Sequence, residues 1–75
     1  MTDETKRTRG HDLLEAYMAR TKSSQAAIGA VCGVSGAAVC RWFTMNRVPG
    51  TEEVLRIEEW TGGEVPVRSW RREAP

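Results

Sequence analysis

Few residues in this chain have the types and spacings that covalent chemistry needs. His11 is the one histidine, and Cys32 and Cys40 are the two cysteines. Nothing around His11 falls at metal-ligand spacing, so neither a metal nor another cofactor is expected. There is no Ser/His/Asp set and no carboxylate pair suited to acid–base work, so no enzyme is expected. The chemistry that stands out is ionic. From Ala16 to Gly50 the cations Arg20, Lys22, Arg41 and Arg47 are not interrupted by a single acid, for a net +4. Residues 51–66 then set Glu52, Glu53, Glu58, Glu59 and Glu64 against Arg56, for a net −4. The first fifteen residues carry −1 and residues 67–75 carry +2, so the formal charge of +1 hides a strong asymmetry. Such an arrangement predicts one face turned toward a polyanion and another turned away from it.

The elements that must position these charges are short helices. Residues 1–10 are polar and read as a flexible N-terminal arm, followed by a single domain over residues 11–75. Asp12 and Glu15 have capping-box spacing and predict the start of a first helix ending near Arg20. Leu13, Leu14, Tyr17 and Met18 form its apolar face. Ser23 or Ser24 caps a second helix, Gln25 to Cys32, which buries Ala27, Ile28, Val31 and Cys32. Gly33 suits the left-handed residue that ends it. Ser35 caps a third helix, Gly36 to Phe43, with Ala38, Val39 and Trp42 inward. Two short helices joined by a three-residue turn containing glycine have helix-turn-helix form. After Val48-Pro49-Gly50, Thr51 caps a fourth helix with Glu52 and Glu53 in its first turn, where the helix dipole favours them. Gly62-Gly63 stops it. Pro66 opens a last short turn carrying Val67 and Trp70, while Glu64 to Arg68 is the one segment with a weak strand pattern. The expected class is all-α, a small four- to five-helix domain.

The run from Gln25 through Gly29, Gly33-Val34-Ser35 and Val39 to Arg41-Trp42 resembles the helix-turn-helix of phage repressors of the Cro and CI type. The match lies in an opening Gln, a small residue four places on, Gly at the turn, an apolar residue after it and Ser as the next cap. The continuation Val48-Pro49, Arg56-Ile57-Glu58, Thr61-Gly62-Gly63 and Trp70-Arg71 is similar to small Cro-like and YdaS-like regulators. The resemblance spans about residues 11–72. It implies a lambda-repressor-like fold, and a phage or prophage transcriptional repressor that binds a double-stranded operator as a dimer.

A helix entering the major groove offers its outer face to base edges, most closely at its N-terminal end. That face carries Ser35, Gly36, Ala37, Cys40, Arg41 and Thr44, the expected base contacts. Arg41 suits a bidentate contact to guanine, Ala37 an apolar contact to a thymine methyl, and Ser35 or Thr44 a hydroxyl contact. Gly36, Ala37 and Cys40 replace the larger polar side chains of the family, which moves weight onto Arg41 and DNA shape. Lys22, Ser23, Ser24, Gln25, Asn46 and Arg47 are the expected phosphate contacts, although the serines serve equally as helix caps and Arg47 as a solvated loop charge. One face with one arginine supplies little discrimination, which predicts a two-fold dimer on a pseudo-palindromic operator. Trp60, Val65, Val67 and Trp70 are its expected interface.

A chain of 75 residues buries roughly 60% of its unfolded surface and has room for one small core. Two cysteines make no disulfide scaffold, and the polar start Thr2-Asp3-Glu4 reads as no secretory signal, so a reducing cytoplasm is expected. Ser23 to Cys40 is uncharged, but its glycines and serines break it into two periodic pieces, so no membrane span is expected. The competing function is a protein-interaction module, an antitoxin or assembly factor, whose small residues Gly36, Ala37 and Cys40 pack on a protein partner.

Overall fold

The computed structural model describes residues 7–71. The elements are α1 (Arg9–Thr21), α2 (Gln25–Cys32), α3 (Gly36–Thr44), α4 (Thr51–Trp60) and a closing 3-10 turn, Val67–Trp70. Among the described residues there is no strand, and the domain is all-α.

Helix α1 begins about one turn earlier than the Asp12–Glu15 spacing predicts. Thr8 is the N-cap: its side chain accepts from the His11 N–H, and its own N–H donates to His11 Nδ1 at 3.0 Å. Thr8 and His11 have the same i, i+3 spacing as Asp12 and Glu15, and an imidazole nitrogen takes the acceptor role of the usual Glu. Asp12 instead receives Arg7 Nε at 3.0 Å. Of the expected arm, residues 7–10 therefore belong to the folded body, with Thr8 and Gly10 buried; residues 1–6 lie outside the described residues. The helix closes at Lys22, a C-cap in the left-handed region at φ 57°.

The next two helices form where their local signals place them. Ser24 and Ser35 accept from the N–H groups of Ala27 and Ala38, each at 3.1 Å, so each caps a free helix start. Gly33, at φ 76°, ends α2. The chain bends by 112° between α2 and α3. Gly29 makes this bend fit, because a Cβ there would collide with the Val34 carbonyl oxygen. No single helix among the described residues is long and apolar enough to cross a membrane.

Helix α4 is capped by Gly50 rather than Thr51, which is its first residue; the Val54 N–H donates to the Gly50 carbonyl at 3.0 Å. The Thr61 hydroxyl donates to the Ile57 carbonyl and accepts the Val65 N–H, turning the chain back toward the core. Pro66 has no N–H to give a ladder, and residues 64–68 form no strand. Ser69 and Arg71 donate instead to the carbonyls of Pro66 and Arg68, winding the 3-10 turn.

Leu14, Ile28, Val39, Ile57 and Val65 are fully buried, joined by Cys32, Trp42, Val54 and Trp70. Trp70 and Val65 are therefore corrected from interface residues to core residues. Only 3% of Trp70 is exposed; its indole covers Gly10, where a Cβ would overlap the ring, and meets the His11 ring edge-on at 5.1 Å. The glycine in the first turn of α1 provides the space that sequence patterning did not assign. Of the other two expected interface residues, Trp60 is half-buried edge-on against Tyr17 at 5.0 Å. Val67 is half-buried, with its N–H bonded to Glu58 Oε2.

Candidate nucleic-acid interface

Helix α3 has two chemically distinct faces. Val39 and Trp42 are buried against the rest of the domain, and Ala38 is half-buried beside them. Ser35, Ala37, Arg41 and Thr44 are exposed, while Gly36 and Cys40 are half-buried at the edge of that face. Of the sequence-predicted base contacts, Gly36, Ala37, Cys40, Arg41 and Thr44 thus share one side of α3, with Ser35 at its N-cap.

The hydroxyls differ in what they have left to offer. Ser24 and Ser35 spend an oxygen lone pair on a helix cap, leaving the hydroxyl proton free to donate outward. Thr44 spends its proton on the Cys40 carbonyl at 3.1 Å, so toward a base it acts as an acceptor. Thr21 donates to the Tyr17 carbonyl, which makes Ser23 the donor in their 2.7 Å hydroxyl pair. Of the expected phosphate-contacting serines, Ser24 is the better donor.

The cations separate just as sharply. Arg20 holds Glu64 with two nitrogens, at 2.6 and 2.5 Å, and its guanidinium lies 5.3 Å from the centre of the Tyr17 ring. The hydrogen bond and charge of this partner raise the Arg20 pKa, and the Arg20 hydrogen bond holds the Glu64 carboxyl below its ordinary range. Arg7 pairs with Asp12 and Glu15. Arg56 pairs with Glu52 at 3.7 Å and caps α2 through the Cys32 carbonyl at 3.0 Å. Arg9, Lys22, Arg41, Arg47, Arg68 and Arg71 are exposed and have no ion pair or side-chain hydrogen bond among the described residues. Arg20, counted with the basic half by sequence, is thus neutralised by the acidic segment, and Arg41 stands bare on the outer face of α3.

The loop after α3 is fixed by a residue to which the sequence assigns no role. His11 is fully buried; its Nδ1 accepts the Thr8 N–H, so Nε2 carries the proton and donates to the Arg47 carbonyl at 2.8 Å. Its ring also meets Phe43 edge-on at 6.2 Å. Asn46, at φ 52°, turns the chain from α3 into this anchor. The signal available in sequence was Thr8 with His11, a capping pair that a search for Glu or Gln passes over. Lys22 and Gln25 sit at the C-cap of α1 and the first position of α2, one exposed and the other half-buried.

Cys32 is a core residue whose thiol is pushed up by burial, and further by Glu53, against the opposing charge of Arg56. That depletes the reactive thiolate. Comparison of the chain with protein-family models, with curated proteins and with solved structures gives no match.

Proposed function

We propose that this chain is a sequence-specific DNA-binding transcriptional regulator of the Cro-like repressor type, acting without catalysis by occluding a promoter in the cytoplasm. The observation that carries the reading is Arg41: an unpaired guanidinium on the exposed face of α3, in a stretch of chain without an acid. The 112° bend between α2 and α3 lies in the range of helix-turn-helix units. In this geometry α3 enters the major groove, Arg41 bonds the O6 and N7 atoms of a guanine, and Ala37 meets a thymine methyl. Ser24, Lys22 and Arg47 hold phosphates on either side and set the register.

One such interaction is worth about 1 to 3 kcal/mol, while specific binding exceeds non-specific binding by roughly 4 to 10 kcal/mol, so two copies act on a pseudo-palindromic site. Since the core takes Val65 and Trp70, the apolar surface left for pairing includes Leu55 on α4, which is 51% exposed. The test is selection of bound duplexes from random DNA, followed by binding measured against salt. Steep salt dependence is expected, with Arg41→Ala costing about 1 to 3 kcal/mol on the selected site. Failure to enrich any sequence overturns the reading.

The small side chains Gly36, Ala37 and Cys40 favour a second reading, in which this face packs on a protein partner as in an antitoxin or assembly factor. Salt-independent binding to a protein, with no duplex bound, is its signature.

A further inference from the structure

Four of the six unpaired cations belong to three segments that the fold gathers at one place. Arg9 precedes Gly10, whose Cα lies against the Trp70 indole. The Arg47 carbonyl is held by His11, which itself packs on Trp70. Arg68 and Arg71 flank Trp70 in the closing turn and line an open groove with Val48 and Pro49, the residues that follow Arg47. Arg9, Arg47, Arg68 and Arg71 are exposed, and none has an ion pair among the described residues. The acids nearby are already engaged: Asp12 and Glu15 by Arg7, and Glu58 in part by the Val67 N–H. By contrast, Arg20 and Arg56 are matched with carboxylates.

We infer that Arg9, Arg47, Arg68 and Arg71 form a second, composite cationic surface that grips the phosphate backbone of DNA beside the groove occupied by α3. This rests on the DNA-binding reading and extends the protein's footprint beyond α2 and α3. Two observations select a nucleic-acid backbone as the occupant. The surface starts at Arg47, three residues after Thr44 ends α3, so it is continuous with the proposed groove face. It also consists of guanidinium groups, whose planar forks match phosphate oxygens. The buried His11–Trp70 pair is what holds three segments distant in sequence in one register, so the charges are arranged before DNA arrives and lose little freedom on binding.

The experiment compares the wild-type chain, the triple variant Arg9→Gln/Arg68→Gln/Arg71→Gln, and Arg20→Gln as a paired-cation control. Fluorescence anisotropy follows their binding to a duplex selected by the wild type and to a scrambled duplex, across a salt series. The triple variant is expected to bind both duplexes more weakly by a similar factor. Its slope of log affinity against log salt should fall by about 0.9 for each phosphate that the variant no longer neutralises, with the preference between duplexes retained. Arg20→Gln should keep the wild-type slope. These side chains are exposed and unpaired, so the melting temperature should not move, which separates the effect from unfolding. An unchanged slope in the triple variant overturns the inference while leaving an Arg41-dependent preference intact. A slope lowered equally by Arg20→Gln overturns it by showing a net-charge effect. Weakened binding to an acidic polypeptide with the DNA slope unchanged assigns the surface to a protein partner and also overturns it. If the wild type binds no duplex, the DNA-binding reading fails and this inference fails with it.

Discussion

The α2–α3 unit and the hub around His11 and Trp70 are built by opposite rules. In the first, the caps and the turn are short in sequence, Ser24 to Ala27, Ser35 to Ala38 and Gly33 to Gly29, with Arg56 on the Cys32 carbonyl as a long tie beside them. In the second, the ties are long: Gly10 to Trp70, His11 to Arg47 and, along the outside, Arg20 to Glu64. The local unit presents a face to solvent, with Arg41 bare upon it. The long-range hub turns its chemistry inward and leaves only its arginines outside. A surface for recognition can thus be specified by a few adjacent residues, whereas its orientation relative to the rest of the molecule depends on packing made across the whole chain.

Mutations can break this contrast. The largest expected effect is at the hub: Trp70→Ala should cost about 3 to 5 kcal/mol in denaturant unfolding, at concentrations where the chain is monomeric. A deficit seen only in self-association would return Trp70 to an interface and dissolve the hub. Next, Ser35→Ala removes a cap and should cost about 1 kcal/mol by the same measurement. A cost equal to that of Trp70→Ala would mean that the turn and the hub do not differ.

Arg41→Ala should sharpen the contrast by doing little to stability, within about 0.5 kcal/mol, since the side chain is exposed and unpaired. A larger thermal shift would show that Arg41 belongs to the fold rather than to a binding face.

The smallest effect is at the exposed Arg20–Glu64 pair, which salt screens. The folded Glu64 titrates below its ordinary value, so its contribution is present above that value and is lost as pH falls through the depressed one. Glu64→Gln should therefore lower stability slightly at neutral pH and leave a shallower decline on the acid side of the stability profile. A profile identical to the wild type would remove this tie from the long-range set.

These two rules also decide what the sequence discloses. The bounds of α2, the glycine turn and the Ser35 cap are readable because a cap and its N–H lie three residues apart, and the all-α class follows from such periods. The outward placing of Ala37, Arg41 and Thr44 follows from helical spacing once Val39 and Trp42 are recognised as inward. Trp70 misleads because burial at a chain's far end depends on what lies opposite, and Gly10 gives no apolar signal of its own. The start of α1 is hidden by two competing capping pairs, Thr8 with His11 and Asp12 with Glu15, which only the packing of the His11 ring distinguishes. Arg20 looks like a free cation because its partner lies in a different charge zone.

The seating of Trp70 on Gly10 also sets the order in which this domain can be completed during synthesis. Helix α1 is synthesised before the indole that covers it and stays uncovered until Trp70 has followed. Until then the start of α1 and the loop at Arg47 lack their lid. Premature termination before residue 70 would produce a polypeptide with an intact glycine turn and an uncovered apolar edge, a target for chaperones and proteases.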